Sequence, residues 1–207
     1  MRAQVSSEYG GPRSSAWLGL KKRDHVLVHG GAGGVGHIGL QLAKLSGAKV
    51  AATVGSAGAG EACGGAGRGC PFNYRDEMVG DYVGRLTGGI GFTAIFDTFG
   101  GPNLVKSSEA AGIEGQVVTT SALVTADLSN MHAKALSLHV VFMLLPMIRG
   151  PGRERHGEIL REIAAHVDAG KIRPLLDSER FTLETVGDAH ARVASGHAHG
   201  KAVIDIV

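Results

Sequence analysis

The stretch His25-Val26-Leu27-Val28-His29-Gly30-Gly31-Ala32-Gly33-Gly34-Val35-Gly36-His37-Ile38 joins an apolar run to a glycine cluster and then to a helical pattern. Gly31, Gly33 and Gly36 fit G-x-G-x-x-G. In a strand-to-helix turn the spacing has a mechanical reading. The first glycine permits the tight turn, the second lets backbone approach a pyrophosphate, and the third lets the helix pack closely on the strand. The helix N-terminus offers unpaired N–H groups and a positive dipole end to phosphate. In a chain with 33 glycines the spacing alone is weak, and the competing reading is a turn that serves only chain geometry. Context favours the dinucleotide reading. Val35, Ile38, Leu42 and Leu45 recur at helical spacing as a packing face, Gly47 suits a left-handed C-terminal cap, and Lys49–Val54 reads as a second strand, completing a βαβ unit.

An acid at the end of the second strand ordinarily binds the ribose 2′-OH of NAD. No Asp or Glu occurs between Gly36 and Glu61, so nothing there repels a 2′-phosphate. This favours NADPH over NADH, with Ser56 able to donate a hydrogen bond to the phosphate; the competing role for Ser56 is a loop or helix cap.

The 207 residues, 43% hydrophobic and 19% charged, suffice for one α/β domain with an appendage. A net charge of +2, with the basic residues scattered, makes no case for nucleic acid or an anionic membrane. Cys63 and Cys70, without a companion cluster, support neither a disulfide framework nor a structural zinc site, and fit a reducing cytosol. Met1–Ser15 lacks the apolar core of a signal peptide, and Val140–Pro146 is too short to span a bilayer, so a soluble cytoplasmic protein is expected.

Along the chain, Gly55–Pro71 holds seven glycines where a doubly wound fold places its second helix, and a stable helix there is not expected. Asn73-Tyr74-Arg75-Asp76 leads into a helix carrying Val79, Tyr82, Val83 and Leu86 on one face and stopped by Gly88-Gly89. Thr93–Asp97 reads as a buried strand, Thr98–Gly101 as the loop at its carboxyl end, Leu104–Ala111 as a helix, and Gly115–Thr120 as a strand. Leu138–Met143 reads as a late edge strand and Pro146–Gly152 as a break. Ile159, Leu160, Ile163, Ala164 and Val167 build an amphipathic helix ending at Gly170, followed by an extended arm, Ile172–Leu176. Thr182 is placed to cap a further helix with Glu184 in its first turn, Gly196 ends it, and Ala202–Val207 reads as a strand needing partners outside the dinucleotide unit.

Asp24–Gly36, Asn73–Asp76, Phe96-Asp97-Thr98-Phe99-Gly100-Gly101 and Gly200-Lys201-Ala202-Val203 together resemble the zinc-type alcohol dehydrogenase superfamily of medium-chain reductases, closest to its quinone oxidoreductase branch. The resemblance implies an α/β, doubly wound parallel sheet (Rossmann) with a C-terminal helix-strand appendage from a truncated second domain. Residues 1–15 stay unassigned, 16–150 form the dinucleotide-binding domain, and 151–207 complete it and return toward an N-terminal GroES-like domain of which most is expected to be absent. Ala16-Trp17 resembles the helix before the first strand. Matching positions imply that Gly31, Gly33, Gly34, Val35 and Gly36 bind the pyrophosphate, Ser56 and Tyr74 lie near the 2′-phosphate, and Phe142 lies near the nicotinamide. The family carries a lysine four residues after the serine, where this chain has Gly60. Gly55–Pro71 has the family's length for helix and strand but matches it poorly, which raises the expectation of a recoded segment and a lost helix.

The resemblance implies hydride transfer from NADPH to a small-molecule quinone, enone or carbonyl compound, the cofactor carrying the redox chemistry. The alternative is a non-catalytic dinucleotide-binding module, or a degenerate fragment of such a reductase. No catalytic residue is assigned and no zinc is expected, because the ligands used by zinc-containing relatives belong to the absent domain. Among ten histidines, His197 and His199 flank a turn without a strand's chelating geometry, and His29, His139, His166 and His190 read as core or boundary residues. Asp97 reads as a capping or loop residue before a catalytic acid. The edge strand could pair two copies across a two-fold axis as a homodimer.

Overall fold

The computed structural model describes residues 20–64, 69–150 and 152–206. The N-terminal segment 1–15 and Ala16-Trp17 lie outside the described residues. Six strands, β1 (His25–His29), β2 (Lys49–Val54), β3 (Cys70–Asn73), β4 (Phe92–Asp97), β5 (Ala111–Thr119) and β6 (Ser137–Val140), form one parallel sheet in the order β3-β2-β1-β4-β5-β6. Strand direction alternates side chains between two apolar layers. Val26, Val28, Val50, Ala52, Val54, Ala94, Phe96 and Val118 face helices α1 (Gly36–Leu45) and α2 (Ala57–Gly64) through Leu40, Ala43, Ala59 and Cys63. Leu27, Ala51, Phe72, Ile95 and Val117 face α3 (Val79–Thr87) and α4 (Asn103–Ala110) through Val79, Tyr82, Leu104 and Ala110. Burial on both faces explains why the central strands read as continuous apolar runs.

The packing face of α1 differs from the periodic expectation. Val35 is 49% and Leu45 40% exposed, while Gly36, His37, Gly39, Leu40, Gln41 and Ala43 are buried. Gly39 lets the helix lie so close to the sheet that a Cβ there would stand 2.7 Å from the Phe96 ring. Gln41 is buried because its amide clamps backbone: Nε2 donates to the Arg173 carbonyl at 2.9 Å and Oε1 accepts from the Arg173 N–H at 2.8 Å. Gly47, at φ +82°, ends the helix as expected.

The glycine-rich segment also departs from expectation, since α2 and β3 both form. Gly58 and Gly60 each cost about 1 kcal/mol of propensity. Against this, Ala59 and Cys63, one turn apart, are buried in the sheet-facing layer, and the Ser56 Oγ accepts the Ala59 N–H at 3.2 Å, a cap contributing about 1 kcal/mol. The second helix is therefore not lost. Pro71 is tolerated because β3 is an edge strand.

Beyond the sheet, β6 ends at Val140, earlier than expected, with all four residues exposed at the other edge. The supposed break at Pro146 is a short helix, α6 (Leu145–Arg149), preceded in the chain by α5 (Ser129–Ala133); Pro146 suits a first helical turn, where an N–H has no partner to lose. The amphipathic helix is α7 (Arg153–Asp168), but none of its residues is buried and Leu160 is 67% exposed. The arm carries the buried Ile172 into β7 (Leu176–Thr182), then α8 (Val186–Ala194) and β8 (Lys201–Asp205), and β7 and β8 pair in parallel as a separate sheet. Thr182 therefore ends a strand and does not cap α8; Thr185 precedes that helix and Asp188, instead of Glu184, occupies its first turn. His139 and His190 are exposed, contrary to a core reading, while His29 is 3% exposed. Among the described residues no helix is long and apolar enough to cross a membrane.

Ile95, fully buried at the sheet centre, and Leu160, on the uncovered face of α7, make a paired test of this packing. Ile95→Ala is expected to lose about 2–5 kcal/mol in urea unfolding, and Leu160→Ser to stay within about 0.5 kcal/mol of the parent; equal losses would contradict the architecture.

Candidate functional site

The strand order reverses between β1 and β4, and the crevice at their carboxyl ends is the place where an open α/β sheet receives a ligand. Thr98 spans it by donating its hydroxyl to the His29 carbonyl at 2.8 Å. The carboxylate of Asp97 is wholly buried. Its Oδ1 accepts the N–H groups of Phe99 and Gly100 at 3.0 and 2.9 Å, and its Oδ2 accepts the Ser107 hydroxyl at 2.9 Å. Asp97 thus shapes the loop after β4 and ties it to α4.

On the β1 side, the left-handed residue of the turn is Gly30, at φ +73°, and not Gly31. Gly31 is required for space, because a Cβ would lie 2.6 Å from the Ala52 Cβ. Gly36 is the tightest point: a Cβ would stand 2.1 Å from the Gly30 carbonyl oxygen. The Gly33 N–H closes the turn on the Gly30 carbonyl at 2.9 Å. The N–H groups of Gly34, Val35 and Gly36 have no backbone acceptor among the described residues, and α1 begins without a side-chain cap. Three consecutive donors at a helix N-terminus suit an anion. Lys201 adds charge that sequence spacing could not reveal, since its Nζ lies 2.9 Å from where a Gly34 Cβ would be. It is brought there by β8, which is held to the turn through the Gly200 N–H on the Ala32 carbonyl at 2.7 Å.

Beside this turn a cavity of about 520 Å³ opens over the ends of β1, β2 and β3 and the starts of α3 and α4, with His29, Thr53, Tyr74, Phe99, Asn103 and Lys106 in its wall. The His29 Nδ1 meets the Thr53 hydroxyl at 3.2 Å, and that oxygen also accepts the Gly30 N–H at 3.1 Å. The His29 Nε2 and the Asn103 Nδ2 are buried without hydrogen-bond partners. Burial pushes the His29 imidazole down from 6.5 to about 4, the Asp97 carboxylate opposing the shift and Lys106 adding to it. Two orphaned polar atoms in one wall fit a polar ligand with complementary groups.

The other expected site residues fall on both sides of the crevice. Tyr74 lines the cavity, with its Cε1 3.8 Å from the position of a Gly55 Cβ, whereas Ser56 is exposed as the cap of α2 outside the wall. Phe142 lies beyond β6, 52% exposed, in an apolar groove of about 440 Å³ with Val140, Met143, Met147 and Leu160. The cavity and the groove therefore occupy opposite halves of the sheet. Among the described residues no group of three His, Cys, Asp or Glu side chains is placed to hold a metal.

Comparison with known proteins agrees with this geometry. Residues 70–204 match the family model described as zinc-binding dehydrogenase. A highly reducing polyketide synthase of Emericella nidulans is 29% identical over 195 residues, which is 90% of this chain and 8% of that protein. Among solved structures, an alcohol dehydrogenase superfamily protein from Novosphingobium aromaticivorans superposes with a TM-score of 0.79 at 34% identity, covering 85% of this chain and 52% of the other. The Escherichia coli quinone oxidoreductase complexed with NADPH superposes with a TM-score of 0.75 at 26% identity, covering 90% and 58%. The chain spans 55–58% of the curated quinone oxidoreductases it matches and less than a tenth of the polyketide synthases. The family match over residues 70–204, which takes in four of the six strands of the main sheet and nearly all of the C-terminal extension, makes the chain a member of the zinc-binding dehydrogenase family.

Proposed function

We propose that the chain binds NADPH across the crevice and serves hydride transfer to a quinone, an enone or another small carbonyl compound. The observation that carries this reading is the row of free N–H groups at Gly34, Val35 and Gly36, set at the sheet's reversal point beside Lys201. These groups would hold the diphosphate. The cavity with His29 and Tyr74 would take the adenosine side, near Ser56, and the groove at Phe142 the nicotinamide side. Bound there, a reduced nicotinamide would supply a hydride, and one proton taken up from water would complete the reduction of a quinone to its hydroquinone.

The chain's own contribution is positional. The dipole of α1 and the Lys201 ammonium favour the diphosphate charge, and Phe142 with its apolar neighbours offers an open apolar surface to a ring. A second reading, nucleotide binding without turnover, is favoured by the openness of that surface, since Met143 is 63% and Leu160 67% exposed and a hydride donor there would meet solvent. The exposed edge of β6 offers backbone donors and acceptors to a second copy, which supports a homodimer.

Fluorescence titration with NADPH, run beside turnover with a soluble quinone, separates the readings. Saturable binding with turnover is expected for the reductase, and binding alone supports the module. Gly34→Asp puts a carboxylate in the diphosphate cradle, where the nearest obstacle is the flexible end of Lys201. It is expected to weaken NADPH by at least about tenfold with little change in the thermal midpoint; undiminished affinity would remove the cradle assignment.

The buried His29 yields a pH prediction with a definite sign. Its folded-state pKa of about 4 lies below the ordinary 6.5, so the unfolded chain binds the extra proton first. Its contribution to stability is present above pH 6.5 and is lost as pH falls toward 4, at up to about 1.4 kcal/mol per pH unit. Urea unfolding from pH 7 to 4 should show His29→Asn losing less stability than the parent; parallel curves would contradict the burial of a neutral imidazole.

A further inference from the structure

The charge on the cavity wall specifies the adenosine end more narrowly, on the reading above that a dinucleotide binds here. The Arg75 guanidinium carbon lies 5.5 Å, and the Lys106 Nζ 5.9 Å, from the centroid of the Tyr74 ring. The cations come from separate elements, the turn after β3 and the helix α4, and all three side chains line the same cavity. Neither cation forms a hydrogen bond or an ion pair with another described residue.

The carboxylates in the same wall are engaged elsewhere. Glu77 is paired with Arg85 at 2.5 Å, Asp76 accepts from the Asn73 amide at 2.9 Å, and Asp81 accepts the Met78 N–H at 3.1 Å to cap α3. The same wall holds two buried nitrogens without hydrogen-bond partners, His29 Nε2 and Asn103 Nδ2. The wall therefore combines uncommitted positive charge at Tyr74 with unmet polar atoms.

We propose that Arg75 and Lys106 together grip the phosphate monoester on the adenosine ribose, with the Tyr74 ring as the platform that keeps both at the cavity mouth. Gly60, four residues after Ser56, brings no charged side chain to this end of the crevice. A cation resting on an exposed ring is held weakly, whereas a charge-assisted hydrogen bond to phosphate is stronger, so both side chains move to the anion when it arrives. The absence of an acid between Gly36 and Glu61 leaves the end of β2 without a charge opposing them.

Calorimetric titration of the 207-residue chain with NADPH, NADH, 2′,5′-ADP and 5′-AMP tests this, using Arg75→Gln, Lys106→Met and the double variant. Each single change is expected to weaken NADPH and 2′,5′-ADP by about tenfold while NADH and 5′-AMP stay within about twofold, and the double variant should bind NADPH and NADH alike. Circular dichroism and thermal midpoints confirm that each variant is folded. If folded variants keep the parent's NADPH-to-NADH ratio, or if the parent itself binds both equally, the two-cation grip is wrong and the dinucleotide reading stands. If the parent binds none of the four nucleotides, the dinucleotide reading fails and takes the grip with it.

Discussion

The approach of α1 to the end of β1 is the constraint from which the site follows. At Gly36 the helix comes so near the Gly30 carbonyl that no side chain can intervene, since even a Cβ would stand 2.1 Å from the oxygen. This contact aims the first turn of α1 across the carboxyl edge of the sheet. It also leaves Gly34, Val35 and Gly36 with N–H groups that the helix cannot satisfy. An isolated peptide with the same glycines would present no such row, because the aim depends on a sheet underneath.

That sheet is held by two layers of different composition. On the face of α1 and α2 the packing uses small residues, Ala43, Ala52, Ala59 and Cys63, and the helices lie close. On the face of α3 and α4 the packing uses rings: Phe72 and Tyr82 have centroids 4.7 Å apart, and Tyr82 and Phe92 6.4 Å. The cavity opens between the first turns of α3 and α4 and the ends of β2 and β3. Asp97 connects core to site, since its wholly buried carboxylate is satisfied only if the Phe99–Gly100 loop and α4 take their observed positions.

The C-terminal segment acts as a brace on the glycine turn. The Gln41–Arg173 amide clamp holds the arm across α1, and the Gly200 N–H fastens the start of β8 to Ala32. The Asp177 carboxylate, accepting from the Glu179 and His199 N–H groups and from Arg192, keeps β7, α8 and the approach to β8 together. Lys201 reaches Gly34 because of this brace. In the opposite direction the apolar residues of α7 and of the segment after β6 stay largely uncovered, so the two ends of the crevice differ: the side of the glycine turn is built and charged, the Phe142 side open and apolar.

Much was legible in the sequence because it was written locally. The run from His25 to Gly36, the second strand at Lys49–Val54, the helix from Val79 to its glycine stop and the strand ending at Asp97 each carry their signal within a dozen residues. The missing acid after β2 is likewise a matter of position. Other features depend on segments that meet only in the fold. The inward face of α1 was misread because glycine carries no hydropathy signal, and its packing value exists only opposite Phe96 and Gly30. The helix at Ala57–Gly64 was misjudged because burial of Ala59 and Cys63 and the Ser56 cap offset a glycine penalty that propensity counts alone. By itself the sequence determined the βαβ opening, the turn and the charge left out after β2, since these follow from backbone sterics and short-range periodicity. Tertiary structure alone decided that Lys201 stands at Gly34 and that Arg75 and Lys106 share the Tyr74 ring, because long-range contacts are set by how the layers pack and leave no mark in residue spacing.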